Sequence, residues 1–171
     1  IWGQDNPSLL QMAVPSLNIA PDARGGGMGD MGAATLPDIN SQYWNAAKYA
    51  FMGSKAGVSL SYTPWLRKLV NDVALVNMTG YYKLGNSDLQ AISASLRYFS
   101  LGEVNIWENI GDVPYGLNPY EMAFDVAYSR KLSESYSMAV TLRYIRSDMG
   151  TDQNDESNAG NAFSADISGY L

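Results

Sequence analysis

The sequence predicts an all-β protein, a transmembrane antiparallel β-barrel to which this chain contributes the first six or so strands. Three observations carry that prediction. Segments of about ten residues alternate apolar and polar side chains, as strands with one oily and one wet face do. No run approaches the roughly 18 uninterrupted apolar residues of a membrane helix. The connections between segments alternate short and long, the habit of outer-membrane barrels with tight periplasmic turns and longer extracellular loops.

Composition narrows the function classes. Lys, Arg, Asp and Glu make up 16% of the 171 residues, below the roughly 25% of an ordinary soluble protein, while Tyr supplies 12 and Gly 16. A surface poor in charge and rich in rings suits contact with something other than water. Cys and His are both absent, which removes disulfides, thiolate and imidazole metal sites, and Ser-His-Asp or Cys-His nucleophilic systems. No catalytic residue, metal or cofactor is expected, and the protein is not expected to be an enzyme. A net charge of -6 and pI near 4.5 disfavour a nucleic-acid partner, because phosphate binding needs clustered Lys and Arg.

Residues 1–54 hold four of the seven prolines (Pro7, Pro15, Pro21, Pro37) and a Gly-rich run from Gly25 to Gly32, with neither a helical nor a period-2 pattern. The text changes at Lys55. Ala56, Val58, Leu60 and Tyr62 alternate with small or polar residues; Ile92, Ala94, Leu96 and Tyr98 do the same; so do Tyr120 to Tyr128 and Tyr136 to Tyr144. Two fuzzier segments, Val73 to Leu84 and Ala162 to Leu171, complete the six. A first unit of 1–54 and a strand unit of 55–171 follow. Tyr120 and Tyr128 bracket one apolar face and Tyr136 and Tyr144 the next, the placing of interfacial aromatic girdles. A soluble β-sandwich alternates too, but the opposite face here is small and polar, as in a water-filled lumen, rather than rich in Lys and Glu.

Six strands are fewer than the eight of the smallest natural barrels, and an open edge in hydrocarbon leaves backbone groups unpaired at several kcal/mol each. The chain is therefore expected to be part of a longer barrel.

The candidate contact residues lie in loops. Val104, Ile106, Trp107, Ile110 and Tyr115 form an apolar set in the long loop 102–118, suited to a protein partner or equally to packing against neighbouring loops. Asp148, Asp152, Asp155 and Glu156 crowd the loop 147–159 and could hold a hard cation such as Ca²⁺ through carboxylate oxygens, but their spacing is not that of an EF-hand; a solvated acidic loop is the better reading, its charges also able to steer a basic partner. Trp65 with Arg67 and Lys68 fits a headgroup-level anchor against membrane lipids. Arg97 and Arg143, with Glu121 and Asp125, are expected to pair on the wet face. Gly27 to Gly32 spells G-x-G-x-x-G, but without a preceding strand and following helix it reads as tight glycine folding and not a dinucleotide cradle.

The stretch from Ser16 to Gly29, then Tyr43-Trp44-Asn45-Ala46-Ala47, Gly57 to Leu66 and Leu89 to Phe99, resembles the FadL-like outer-membrane transporters. It is more closely similar to the PorV family, the outer-membrane component of type IX secretion. The likeness covers essentially the whole chain and about the first half of such a protein. It implies a barrel of about fourteen strands in the outer membrane of a Gram-negative bacterium, with residues 1–54 as a lumenal plug that uses Arg24, Gly25, Gly27, Trp44 and Asn45. FadL relatives carry Asn-Pro-Ala in that plug; Ala46 stands at the proline's place, which counts against transferring a gating role to Asn45. The partners implied are the C-terminal signal domains of secreted cargo, the translocon and attachment subunits, and outer-membrane lipids. The alternative is a FadL-like channel for hydrophobic small molecules.

Overall fold

The computed structural model describes residues 14–64, 73–85, 89–106, 115–149 and 159–171. Its centre is a six-stranded antiparallel sheet of β1 (Ala56–Pro64), β2 (Val73–Leu84), β3 (Gln90–Leu101), β6 (Tyr120–Lys131), β7 (Ser137–Asp148) and β8 (Gly160–Tyr170), in the order β1-β2-β3-β6-β7-β8. These are the six strands the alternation predicts, and each pairs with its neighbour in sequence. A small ribbon of β4 (Val104–Ile106) and β5 (Tyr115–Leu117) is inserted between β3 and β6. Among the described residues no helix is long and apolar enough to cross a membrane, and the sheet is not closed: β1 and β8 are each paired on one side.

The register places like with like through the middle of the sheet. One outward row runs Leu60, Met78, Leu96, Phe124, Tyr144, Phe163, without a charge; the inward row one residue away runs Ser59, Thr79, Ser95, Asp125, Arg143, Ser164, without an aliphatic side chain. Because successive side chains of a strand point to opposite faces, a one-residue slip in any pairing would mix the two chemistries. The oily row is the exposed one. Leu142 is 62% exposed and Phe163 85%, whereas Arg97 is 4% and Asp125 6%. On the inward face Arg97, Glu121, Asp125 and several Ser and Thr are buried, with Leu75 and Phe99 among them, while Leu60, Leu96, Phe124, Val126, Val140, Leu142 and Ile167 stand out on the other, an arrangement opposite to that of a water-soluble protein.

The cover over the polar face is the N-terminal segment. Its elements are a 3₁₀ turn at Pro15–Asn18, α1 (Ala23–Gly27), α2 (Ser41–Trp44) and a 3₁₀ stretch at Ala46–Phe51. The last of these lies against β6 and β7 and touches β2, β3 and β8. The segment is thus less irregular than its sequence suggests, because caps specify these short turns and not apolar periodicity. Asp22 accepts from the Gly25 N–H at 2.9 Å at the start of α1, as an N-cap does. At its end Asp30 N–H reaches Gly25 O and Gly29 N–H reaches Gly26 O, a Schellman closure with Gly29 at φ +75° and Asp30 at φ +58°.

Candidate functional site

Three places in the molecule hold the residues singled out from the sequence: the docked N-terminal segment, the outward apolar belt and the loop ends.

The docked segment is built around Trp44. A Cβ on Gly25 would come within 2.9 Å of the indole, and one on Gly32 would overlap it; two glycines of the Gly-rich run are there because the ring needs their space. Gly27, by contrast, has nothing within 4 Å of where a side chain would begin. Arg24 pairs with Asp38 at 3.1 Å on the exposed side of the segment. Asn45 caps the 3₁₀ stretch through the Ala47 N–H (3.0 Å) and donates to Gly169 O of β8 at 2.9 Å.

Beneath these lies a set of buried polar contacts that tie segment to sheet. Ser16 is held from both sides: its N–H donates to Glu121 Oε2 (3.1 Å) and its carbonyl accepts from Arg97 Nη1 (2.9 Å), whose guanidinium also lies 4.4 Å from the Tyr43 ring centroid. Ser93 donates to Gln42 Oε1, and Ser137 donates to Ala47 O at 2.7 Å. The expected charge pairing is half realised. Arg143 does pair with Asp125, which also accepts from Ser95 at 2.9 Å, but Arg97 and Glu121 hold the two backbone polar groups of Ser16 instead of each other. Nothing in the sequence pattern marks Ser16 as their target, since it lies 81 residues from Arg97 and 105 from Glu121.

Within the segment Lys48 is buried, donating to Gly32 O (2.8 Å) and Thr35 Oγ1 (3.1 Å). Burial holds its ammonium below the usual lysine range, with Asp38 opposing the shift. Tyr49 stacks on Tyr81 at 4.9 Å, donates to Ile39 O and accepts from the Gln42 N–H. Burial pushes its phenol well above the ordinary value.

On the outward face the tyrosines collect near the ends of the strands. Tyr62 and Tyr98 share one row, Tyr98 stacks on Tyr120 (5.6 Å), and Tyr82 and Tyr128 share the row at the opposite end. Tyr120 and Tyr128 are eight residues apart on one strand, about 27 Å at 3.4 Å per residue. Tyr144 sits one row inside this boundary, against Phe163, with its hydroxyl donating outward to Asn161 at 2.7 Å. Tyr136 precedes β7 and belongs to the turn, where its carbonyl accepts from the Leu132 and Ser133 N–H groups.

The loop residues are only partly within the described chain. Val104 and Ile106 form the ends of β4 and Tyr115 opens β5, with Ile106 opposite Tyr115; Asp148 closes β7 opposite Tyr120. Trp65, Trp107, Ile110, Asp152 and Asp155 lie outside the described residues.

No curated protein matches the chain. The family described as type IX secretion system protein PorV does, over residues 3–171. A match that spans nearly every residue, on a chain whose sheet wears its oily side outward, decides the identity: the chain belongs to the PorV family of type IX secretion system proteins.

Proposed function

We propose that the chain sits in the outer membrane as a carrier that binds the C-terminal signal domain of secreted cargo and passes it to the surface attachment complex. Membership of the family implies a type IX secretion component; the finer role is our reading. The observation that carries it is the pair of adjacent rows, one apolar and largely exposed, the next polar and buried at its centre through Thr79, Ser95 and Asp125. A sheet of that kind suits a bilayer outside and a wet interior within.

In this reading residues 14–54 are a plug, held to the barrel wall through Ser16, Gln42, Asn45 and Ala47, and the tyrosine rows are the interfacial girdles, Trp65 adding an anchor. Cargo meets the long loops. Val104, Ile106, Trp107, Ile110 and Tyr115 offer an apolar contact, and Asp148, Asp152 and Asp155 steer a basic partner. With a plug filling the interior, the outer rim is where a folded domain has access.

The test is an affinity pull-down of the full-length protein from membranes. Cargo C-terminal domains and other secretion subunits should co-purify. Recovery of hydrophobic small molecules alone, with their uptake lost on deletion, would replace the carrier by a channel.

A further inference from the structure

The contacts that hold the N-terminal segment on the sheet differ at its two ends. Toward the short turns they are neutral: Ser137 donates to Ala47 O, Asn45 to Gly169 O and Ser93 to Gln42 Oε1. The chain also runs on there, from the 3₁₀ stretch at Ala46–Phe51 into β1 at Ala56. Toward the long loops the hold is charged. Glu121, the second residue of β6, takes the Ser16 N–H, and Arg97 takes the Ser16 carbonyl.

Neither ion uses its full capacity in this clamp. Arg97 and Glu121 are 4% and 2% exposed, yet Arg97 Nη2 and Glu121 Oε1 have no hydrogen-bond partner among the described residues. A buried ion with an empty donor or acceptor is costly. The neighbouring carboxylate does not relieve it, since Asp125 already accepts from Arg143 and Ser95. The register supplies the missing partner. Arg97 lies opposite Ala123, and Phe99 opposite Glu121, so Arg97 and Glu121 are diagonal neighbours on one face, about 7–8 Å apart and within reach of two long side chains. The peptide groups of Ser16 occupy the place where these two charges would otherwise meet.

We propose that Arg97 and Glu121 are a release latch for the N-terminal segment. Docked, each holds one backbone group of Ser16. When the Ser16 end lifts away, the two close on each other as an ion pair, and the neutral contacts and covalent link at the short-turn end serve as the hinge. Each ion has a partner in both states, so the segment has two discrete positions and not one. A plain anchor differs in one respect: its two charges would have no mutual attraction once the segment is gone. Such a latch needs the segment docked on the polar face, as the structure has it, and is independent of what the protein carries.

The experiment uses the full-length protein in nanodiscs with Ser16→Cys as reporter. The Ser16 side chain is 2% exposed and the clamp uses only its backbone, so the thiol reacts with N-ethylmaleimide when the segment lifts. Modification of residue 16 is timed by mass spectrometry in four proteins: the reporter alone, with Arg97→Gln, with Glu121→Gln, and with both. The rates of the first and last, multiplied together and divided by the product of the two single-variant rates, isolate the coupling of the pair. That ratio should be about five, the worth of one partly exposed ion pair in the released state. A ratio of one or less overturns the latch and leaves a plain anchor. Salt gives a second reading without altering the latch. Raising NaCl to about 1 M screens a solvated pair more than buried contacts, so labelling of the reporter alone should slow by about threefold and that of Glu121→Gln should not change; an unchanged or faster rate in the reporter alone overturns the proposal. Arg97→Glu with Glu121→Arg keeps the pair but sets each charge against the wrong group of Ser16, and labelling should rise at least about tenfold; a swap that labels no faster than the reporter overturns it too. Labelling of the unaltered latch as fast as in urea overturns the docked position of Ser16 itself, a separate result.

Discussion

Trp44 and the two glycines against it show how single residues hold the N-terminal segment in place. Gly32→Val puts methyl groups where the indole lies, and overpacking of this kind costs about 1–3 kcal/mol. Lys48 is buried in the docked segment, so trypsin cleavage after it reports undocking, and the variant should be cut there about tenfold faster. Gly27→Ala, in open space within α1, should be neutral or slightly protective, since alanine favours helix by roughly 1 kcal/mol. Tyr49 adds a pH dependence with a defined sign. Burial raises its folded pKa above the ordinary tyrosine value of 10.0, so the docked form keeps a proton that the undocked form loses; docking is fully stable below pH 10 and weakens above it. Lys48 acts oppositely, its lowered pKa making docking more favourable as pH rises toward 10.5. Trypsin protection at Lys48 should therefore fall above pH 10 in the wild type, and fall less steeply in Tyr49→Phe, which instead pays at every pH for the unpaired Ile39 carbonyl and Gln42 N–H. The sequence shows that residues 25–32 fold tightly. It does not show on what, because nothing in a glycine run names the ring that will fill its space.

At the scale of elements the strands are the legible part. A period of two carried over ten or more residues leaves little choice, and the outward sets Ile92, Ala94, Leu96, Tyr98 and Phe163, Ala165, Ile167 stand on one face as the alternation requires. The ribbon β4–β5 escapes such reading because three residues per strand carry no period. The helical turns of the N-terminal segment escape it as well: none exceeds six residues, too short to display a 3.6-residue repeat, and the caps Asp22 and Asn45 are visible only to a search for caps. The two faces predict opposite responses to substitution. Leu96→Arg, in the middle outward row, should cost about 2–4 kcal/mol when the full-length protein is refolded into phospholipid vesicles. Ser95→Ala, one residue away, removes only the hydrogen bond to Asp125 and should cost about 1 kcal/mol. Equal costs at both positions would mean that the outward face does not meet hydrocarbon.

Across the whole molecule, what the sequence leaves unread is long-range pairing. Arg97 with Ser16, Glu121 with Ser16 and Asn45 with Gly169 join residues 81 to 124 positions apart, and one sequence carries no register between a coil-like segment and a strand far away. The division of the sheet into an oily and a polar face was legible because it is written in composition as well as pattern; the loop contacts proposed for cargo rest on side-chain types alone. Deleting 104–117 from the full-length protein should leave it in the membrane fraction while reducing captured cargo domains at least tenfold; unchanged capture would move the cargo contact elsewhere. All of these expectations depend on which side of the sheet meets lipid. The chain contains no cysteine, so single cysteines at positions 92 to 98 of the full-length protein can each carry one spin label in a reconstituted bilayer. Collision with dissolved oxygen should be high at Ile92, Ala94, Leu96 and Tyr98 and low at Ser93, Ser95 and Arg97, with little collision at either set from a water-soluble nickel chelate. Ready access of the nickel chelate to the Leu96 label would contradict the account.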